Sequence, residues 1–416
     1  MITEKKIKEL PIKIGDGNYS SKYPKSSEFL KSGIPFISAS DIKNGRIVPG
    51  GFKFISKEQH NVLRKGHLLE NDVLIVSRGN GVGQVSLVDK QFQGCNINAQ
   101  LVLLRVDEKL IHSKYLYYLL CSKEYFNLIK EFCSGSAQPQ LTITNINEIT
   151  LKLPQYNIQV KIAEILSSLD DKIELNKKIN QELESLAQLL FKRWFVYFEF
   201  SNENGEPYKS SGGQMVDSEL GEIPKGWEAI KLGDIVNHQT LKVKKIQETI
   251  TNVYSAIKTS ELVLSDEYFN KQVYSKSIEN YYVVEPYCFA YNPSRINIGS
   301  IGLNKGKTGA VSPVYVVFNV KNNSHYILEY YFKLSNIKNQ IIQKCSGTVR
   351  QSLNFDSLST FPFVKSPDNI INKFNEYIEM YYNVSKRLTK ENDSLIKLRE
   401  ELLPKLISGE LQIKEN

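Results

Sequence analysis

Two short motifs have residue types that could support catalysis or cofactor binding, and each lacks part of the pattern that its chemistry requires. Residues 292–294 (Asn-Pro-Ser) are the nearest match to the Asn/Asp-Pro-Pro-aromatic turn that holds a flipped adenine in an N6-methyltransferase. The second proline and the aromatic residue are missing. Residues 79–83 (Gly-x-Gly-x-Gly) form a lone glycine repeat, which is more typical of a plain turn than of a cofactor loop. Neither motif predicts a catalytic site.

A third motif, residues 302–308 (Gly-Leu-Asn-Lys-Gly-Lys-Thr), resembles a phosphate-binding loop. Such a loop needs four residues between its first glycine and Gly-Lys-Thr, and here there are three. The strand-like run from Val314 to Phe318 follows where a long helix is required. Lys305 and Lys307 are therefore predicted at the tip of a basic hairpin. No Cys/His pair has zinc spacing, so a zinc site is not predicted either.

Polar and basic side chains cluster in the predicted loops, and their types are those that contact DNA. Arg, Lys, Asn, Gln, Ser and Thr contact base edges, and Lys, Arg and backbone N–H groups contact phosphates. Arg78 and Arg295 rank first, because each follows a buried-looking strand within a loop rich in Gly and Asn. The candidates in the first half are Lys22, Lys25, Arg78, Asn80, Gln84, Asn96, Asn98, Gln100, Ser136, Gln138 and Gln140. Those in the second half are Lys242, Lys244, Lys245, Lys258, Ser260, Asn292, Arg295, Asn297, Lys305, Lys307, Arg350, Gln351 and Asn354. The alternative for any one of them is a solvated loop side chain.

The overall charge agrees with an anionic partner. The net charge is +8 and the pI about 8.9, a mild excess for 416 residues. Five cysteines, an odd number without CxxC spacing, indicate a reducing cytoplasm. Charges interrupt the first residues, so no signal peptide is expected, and no apolar run approaches the ~20 residues of a membrane span.

A heptad pattern from Ile158 to Trp194 predicts the element that must position these loops. A helix of roughly 40 residues spans about 60 Å, more than an ordinary globular domain needs. The predicted a positions are Ile162, Leu169, Asn176, Leu183 and Leu190, and Ile165, Ile179 and Leu186 fill the d position, which Lys172 interrupts. A polar a position such as Asn176 costs stability and fixes register.

The chain repeats itself at an offset of 212 residues, the distance from Cys133 to Cys345. Cys-Ser-Gly occurs at both places, and the same offset aligns the long helix with a second one without a gap. The a positions map onto Phe374, Tyr381, Leu388, Leu395 and Leu402. This repetition indicates an internal duplication, and the two helices are predicted to pair antiparallel.

Composition and periodicity divide the chain into five regions. Residues 1–154 are a first α+β domain, with strands predicted at Ile34–Ser38, Val73–Val76 and Leu101–Val106 and a helix from Ser113 to Cys121. Residues 155–200 are the first long helix, 201–219 a linker rich in Ser, Gly and Asn, 220–366 the second domain and 367–416 the second long helix. Pro404 is predicted to end or bend that helix.

Aromatic residues continue beyond the heptads of the first helix. They are Phe191, Trp194, Phe195, Tyr197 and Phe198. We interpret them as an exposed stripe, with Phe191, Trp194, Phe195 and Phe198 docking a partner subunit. In the alternative interpretation the helices are only an intramolecular prop.

Several segments together resemble the specificity subunit of type I restriction–modification enzymes. The resemblance covers almost the whole length. It rests on the duplicated layout, on residues 220–227 (Leu-Gly-Glu-Ile-Pro-Lys-Gly-Trp), 33–37 (Gly-Ile-Pro-Phe-Ile) followed by 40–42 (Ser-Asp-Ile), 162–179, and 402–410 at the end. One departure is visible, because the first domain has no counterpart of the opening that contains Trp227.

The resemblance implies an α+β fold with two α/β target-recognition domains. These are separated by two long antiparallel coiled-coil spacer helices, an internal duplication with pseudo-two-fold symmetry. It also implies a non-catalytic chain that binds a bipartite, asymmetric double-stranded DNA site. The implied partners are two methyltransferase subunits and, through them, two restriction/translocase subunits. S-adenosylmethionine, ATP and Mg²⁺ are expected in those partners. The alternative function is a two-domain adaptor that binds proteins through its helices and a non-DNA ligand through its domains.

Overall fold

The computed structural model describes residues 2–17, 22–79, 81–133, 139–247, 249–345, 352–411 and 413. The chain forms two compact units. Unit 1 comprises Met1–Lys177 and Leu388–Asn416, and unit 2 comprises Lys178–Arg387. Each unit therefore combines a globular α/β part with one half of each long helix.

The helices and strands have the following bounds. The strands are β1 Thr3–Lys6, β2 Ile12–Asp16, β3 Ile34–Ile37, β4 Ile42–Lys43, β5 Arg46–Ile47, β6 Lys53–Ile55, β7 Val73–Val76, β8 Val85–Leu87, β9 Asn96–Ile97, β10 Leu101–Val106, β11 Thr150–Leu153, β12 Met215–Val216, β13 Ile223–Pro224, β14 Glu228–Lys231, β15 Val236–Gln239, β16 Tyr254–Ile257, β17 Glu261–Leu264, β18 Tyr282–Val284, β19 Phe289–Tyr291, β20 Ile301–Leu303, β21 Gly309–Val311, β22 Val316–Val320 and β23 Pro362–Lys365. The helices are α1 Lys57–Val62, α2 Ser113–Cys121, α3 Lys123–Glu131, α4 Ile143–Asn147, α5 Tyr156–Phe191, α6 Ser265–Tyr268, α7 His325–Lys333, α8 Ser335–Lys344, α9 Phe355–Ser359 and α10 Asp368–Ser408. Lys192–Val196 extends α5 as a π-helical turn.

The centre of unit 1 is an antiparallel sheet with the strand order β2-β10-β7-β8. Its central strands are rich in Val, Ile and Leu, which suit a pleated surface buried on both faces. Helices α2 and α3 cover one face, and a smaller sheet, β6-β3-β9, lies among the preceding loops. The pair β1 and β11 joins the two ends of the domain to the start of α5.

Unit 2 repeats the same frame, meaning the central sheet, the two helices that cover it and the strand pair at the ends of the domain. Its central sheet has the equivalent order β15-β22-β19-β20, with α7 and α8 in the places of α2 and α3. The pair β14 and β23 corresponds to β1 and β11. The additions to the frame differ, because unit 2 has the two-stranded pairs β16-β17 and β18-β21 where unit 1 has β6-β3-β9. The predicted duplication is thus confirmed for the frame, and the loops have diverged.

The long helices pair antiparallel within each unit, but the seam lies one residue away from the predicted d positions. Ile162, Leu166 and Ile173 are buried, whereas the predicted Ile165 is exposed. In the same way Ala187 is 5% exposed and the predicted Leu186 is 59% exposed. Adjacent apolar residues fit either register, and the core of the globular part decides which of them it covers. Helix α10 also continues through Pro404 to Ser408, because Leu406 and Ile407 are held in the core of unit 1.

The predicted aromatic docking stripe is wrong for the most part. Phe191 and Trp194 are 3% and 5% exposed, and Phe195 and Phe198 pack against the same core of unit 2. Trp194 and Phe195 lie against the ring of Phe374 at 6.1 and 5.0 Å between centroids. These side chains therefore fasten the helices to each other and to the globular part, as the prop interpretation expects.

The segment 201–219, predicted as a linker from its composition, is folded against unit 2. The ring of Tyr208 stacks on Phe200, with centroids 4.6 Å apart, and Phe200 stacks on Trp227 at 5.1 Å. Strand β12 pairs with β13. Throughout the described ranges, no helix combines the length and the apolar character needed to cross a bilayer.

Candidate nucleic-acid interface

In unit 1 a tight hairpin after β7 presents Arg78. The backbone N–H of Gly83 donates to the carbonyl of Val76 at 3.0 Å, which closes the loop before β8. Gly79 and Gly83 both have φ of 89°, in the left-handed region that side chains disfavour, so the sharp turn requires glycine there. Arg78 is partly buried and stands at the end of a fully buried strand.

Two other loops converge on this hairpin. The carbonyl of Gln100 accepts from the N–H of Ser77 at 2.8 Å, and the carbonyl of Ser77 accepts from the N–H of Leu141 at 2.9 Å. The three loops line a recess of about 280 Å³. Its lining residues are Arg78, Gly79, Gln100, Pro139 and Gln140. The structure thus brings together three candidates, Arg78, Gln100 and Gln140, that are distant in the sequence.

The side chains in this recess are held by one another. With its amide oxygen facing the guanidinium, Gln140 accepts from Nη2 and Nε of Arg78 at 2.8 and 3.2 Å. The buried Asn98 donates from Nδ2 to Oε1 of Gln100 at 3.0 Å and accepts from its backbone N–H, also at 3.0 Å. Asn98 therefore orients Gln100, and its burial removes it from direct contact with DNA.

Other candidates of unit 1 lie in different environments. Asn96 is fully buried beside His60, with which it shares a hydrogen bond, so its prediction as a DNA contact is corrected to a structural role. Gln84, Lys22 and Lys25 are exposed. Asn80, Ser136 and Gln138 lie outside the described residues, as do Arg350 and Gln351 of the second half.

The hydrogen bonds of unit 2 show which residue corresponds to Arg78. The carbonyl of Pro293 accepts from the N–H of Leu353 at 3.1 Å, as that of Ser77 accepts from Leu141. Pro293 is therefore the equivalent of Ser77, and Ser294 is the equivalent of Arg78. The 212-residue offset also maps Gln140 onto Ser352. Two small hydroxyl side chains thus stand where unit 1 has a guanidinium and an amide.

Arg295 follows Ser294, the equivalent of Arg78, and is exposed. The loop that carries it is held by Asn292, whose Oδ1 accepts from the N–H of Ser294 at 3.1 Å. Asn292 thus has a structural role, and Asn354 does too, because its side chain caps α9 by accepting from Ser357 N–H at 2.8 Å. Asn297 is partly buried.

The two lysines of the predicted basic hairpin tip, Lys305 and Lys307, have different surroundings. Lys305 Nζ lies 2.9 Å from Oε1 of the buried Glu329 and 4.1 Å from the centroid of the Tyr382 ring. Burial opposes the charge on Glu329, but the ammonium groups of Lys305 and Lys333 hold the pKa of its carboxyl below its ordinary value. Lys305 is therefore paired with Glu329 although it remains exposed, and Lys307 is exposed as well.

The remaining basic candidates of unit 2 are spread over its loops. Lys244, Lys245 and Lys258 are exposed, and Lys242 lies 6.0 Å from the centroid of the Tyr282 ring. Ser260 is buried, with φ of 63°, and is better explained by the turn that it forms. Among the described residues, no group of three or more His, Cys, Asp and Glu side chains is arranged to hold a metal ion.

Comparison with known proteins shows what this chain resembles. Residues 3–185 match the family model of the type I restriction modification DNA specificity domain. The chain is 27% identical over 436 aligned positions to the type I restriction enzyme MjaIX specificity subunit of Methanocaldococcus jannaschii, covering 99% of this chain and 94% of that one. Over almost its whole length the chain is similar to type I restriction enzyme specificity subunits.

Other relatives agree with this assignment. The specificity subunit of the type I restriction enzyme HindI from Haemophilus influenzae is 31% identical over 172 residues, covering 40% of this chain and 36% of that protein. The crystal structure of the type I S subunit from M. genitalium has a TM-score of 0.58 and 17% identity, and the match covers 98% of this chain and 96% of that one. This last likeness supports the fold.

The structure adds candidate residues that no sequence motif marks. Ser294 and Ser352 occupy the positions of Arg78 and Gln140, and neither stands out by residue type. Ser352 could still have been found from the sequence, because the offset that aligns the helices also aligns Gln140 with Ser352. Pro139 was missed as well, since it contributes to the recess by its position alone.

Proposed function

We propose that this specificity subunit reads a bipartite, asymmetric site in duplex DNA, with one block contacted by each globular part. The observation that carries the proposal is the repeated frame with chemically different loops. Both units have the sheet order described above, yet the equivalent positions hold Arg78 and Gln140 in one and Ser294 and Ser352 in the other. Two domains that share a sheet order but differ in their candidate contact residues suit two DNA blocks of different sequence.

Unit 1 has the chemistry of direct base recognition. Arginine donates two parallel hydrogen bonds to O6 and N7 of guanine, and glutamine pairs with N6 and N7 of adenine. The hydrogen bonds between Arg78 and Gln140 restrict the guanidinium, so less side-chain freedom is lost when it meets a base edge. Lys22 and Lys25 are exposed, and lysine side chains suit the phosphate backbone.

Unit 2 offers a different set. Ser294 and Arg295 are exposed in the loop between β19 and β20, and Lys307 is exposed after β20, at the opposite end of that hairpin. A serine hydroxyl donates or accepts, so it contacts several bases without strong preference. We therefore assign base reading in this unit to Arg295 together with the serines, and phosphate contacts to Lys307, Lys244 and Lys245.

Methyl transfer and DNA cleavage belong to partner subunits in this proposal. Residues 292–294 lack the second proline and the aromatic residue of an adenine-methylating turn. Strands β21 and β22 follow residue 308, where a phosphate-binding loop continues into a helix. We assign S-adenosylmethionine, ATP and Mg²⁺ to the methyltransferase and restriction/translocase subunits.

A second apolar stripe on the long helices is the proposed docking surface, in place of the buried aromatic residues. Leu186 and Leu189 of α5 are both 59% exposed, and Tyr377 and Met380 of α10 are 46% and 65% exposed. The offset of 212 maps Leu186 onto Leu398, which is also exposed. The same offset maps Tyr377 onto the exposed Ile165, but it maps Leu189 onto Glu401 and Met380 onto Ser168, so half of the stripe recurs. A partly repeated surface suits two copies of one partner, the methyltransferase subunit, each of which brings one restriction subunit.

Binding to DNA at several salt concentrations tests the proposal. A protein that neutralises 6–10 phosphates loses ~10³ to 10⁵ in affinity between 50 and 200 mM salt. We expect a steep dependence of this kind for the chain assembled with its methyltransferase subunits, and tighter binding to DNA that contains its site. The matched control is the methyltransferase subunit alone. Equal binding of the assembly and the control at every salt concentration would favour the adaptor.

A further inference from the structure

A buried carboxylate joins the globular part of unit 1 to both long helices. Asp170 of α5 accepts from the hydroxyl of Tyr118 in α2 at 2.7 Å. Its other oxygen accepts from Nη1 of Arg399 in α10 at 2.6 Å. Asp170 and Tyr118 are both buried, so their hydrogen bond forms away from solvent, while Arg399 is partly exposed. One side chain of the helix pair thus fixes the position of the helix that covers the sheet.

Unit 2 has a polar network at the same place with its charges distributed differently. The buried Glu329 of α7 accepts from the hydroxyl of Tyr382 in α10 at 2.6 Å. Lys333, also in α7, lies 3.4 Å from Glu329 and 2.9 Å from Glu184 of α5. Glu184 in turn accepts from the hydroxyl of Tyr381 at 2.9 Å. Here the globular part supplies a buried anion and a buried cation.

The duplication makes the two networks comparable position by position. The offset maps Asp170 onto Tyr382 and Tyr118 onto Tyr330. It also maps Tyr117 and Cys121 of unit 1 onto Glu329 and Lys333 of unit 2. On the long helices it relates Arg399 and Ile396 of unit 1 to Ala187 and Glu184 of unit 2. Each network therefore joins the same three elements with a different set of charged residues.

We propose that these two networks are docking keys that assign each recognition domain to its own end of the helix pair. The key of unit 1 is Tyr118, Asp170 and Arg399. The key of unit 2 is Glu184, Glu329, Lys333, Tyr381 and Tyr382. Because the order of the domains sets which block of the site is read at which end, the keys also determine the order of the blocks.

Electrostatics gives the keys their selectivity. If the second domain occupied the first helix end, Glu329 would meet the carboxylate of Asp170 in place of the Tyr382 hydroxyl. If the first domain occupied the second end, Glu184 would face Cys121 in place of Lys333 and would lose its ammonium partner. Like charges or an unpaired carboxylate in a buried site are strongly unfavourable. Either exchange is therefore expected to leave the domain undocked.

The test is a full-length chain in which residues 1–154 are replaced by a second copy of residues 220–366. It is compared with the same chain carrying Leu169→Tyr, Asp170→Tyr, Ile396→Glu and Arg399→Ala, which transfer the second key to the first helix end. Hydrogen exchange is measured in both copies of the α7 segment. We expect the four substitutions to slow exchange in the first copy at least tenfold. Equal exchange in the two chains would overturn the proposal.

A second measurement decides the matter if the duplicated chains do not fold. The same four substitutions are placed in the natural chain, with Asp171→Tyr, an exposed neighbour of Asp170, as the control. We expect exchange in α2 and α3 to accelerate at least tenfold in the quadruple variant, while α7 and α8 keep their protection. Unchanged exchange in α2 and α3 would overturn the proposal. Neither measurement needs DNA or partner subunits, so its failure leaves the proposed function standing.

Discussion

Asn176 of α5 donates from Nδ2 to Oδ1 of Asn392 in α10 at 2.9 Å, inside the seam of the two helices in unit 1. The same Nδ2 lies 3.0 Å from Oε2 of Glu391. Both asparagines are buried, and a shift of either helix by one turn would break the hydrogen bond between their amides. The pair therefore fixes the register of the antiparallel helices, as the polar heptad position predicted.

Variants that lack one or both asparagines test how the pair contributes to stability. Asn176→Leu alone is expected to lower the free energy of unfolding by about 1–3 kcal/mol, because Asn392 is left buried without its donor. The double variant Asn176→Leu/Asn392→Leu is expected to be at least as stable as the natural chain, since a buried polar pair replaced by apolar residues is often neutral or stabilising. Urea unfolding of both variants checks this. A double variant less stable than the single one would contradict the account.

Arg78→Ala is expected to relax specificity at one base pair of one block. Loss of a bidentate contact costs about 1–3 kcal/mol against the preferred base and little against the others. Binding of the assembled enzyme to single-base variants of its site measures this, with the exposed Arg64→Ala as the matched control. Uniform weakening across all variants would identify Arg78 as a phosphate contact instead.

Stability is expected to fall as the pH is lowered from 6.5 to 4, partly because of His325. This side chain is 8% exposed between the rings of Tyr287 and Tyr326, and burial lowers its pKa from 6.5 to about 4. In this window the unfolded chain binds a proton that the folded chain excludes, so stability is full above pH 6.5 and declines below it. The difference amounts to about 3 kcal/mol at most.

Two variants check this dependence on pH. His325→Phe should flatten the decline between pH 6.5 and 4, while His238→Phe, at an exposed position of β15, should leave it unchanged. Thermal unfolding measured at intervals across this range gives the comparison. An identical decline in His325→Phe and in the natural chain would exclude His325 as its source.

Leu189→Glu is expected to weaken binding of the methyltransferase subunit at least tenfold without changing the unfolding temperature. The side chain is exposed, so its replacement should not disturb the core, but a carboxylate in an apolar interface is costly. Leu110→Glu, at a position that is 58% exposed in unit 1, is the control. Affinity is measured with purified subunits. Unimpaired binding by Leu189→Glu would place the interface elsewhere.

The sequence predicted features that depend on periodicity and repetition. Strands β7 and β10 and helix α2 were predicted with the bounds that the structure has, because apolar runs and helical spacing are local signals. The role of Asn176 followed from the heptads, and the antiparallel pairing was implied by the resemblance. The domain frame followed from the offset between Cys133 and Cys345.

Features that depend on which neighbour covers a residue were not predictable in this way. Leu186 and Ala187 both fit a heptad seam, and only the packed core selects Ala187. Asn96 looks like a loop amide until its contact with His60, from a distant helix, removes it from the surface. The ion pair of Lys305 was not predictable either, because its partner Glu329 lies 24 residues away along the chain.

The most direct test maps N6-methyladenine in cells that express this chain with its partner subunits. A second strain carries a chain whose residues 1–154 come from a relative that keeps tyrosine at the position of Tyr118. We predict a bipartite methylated motif in the first strain, and in the second a motif with one block changed and the other block identical. A change in both blocks, or in neither, would contradict the claim that each unit reads its own half of the site.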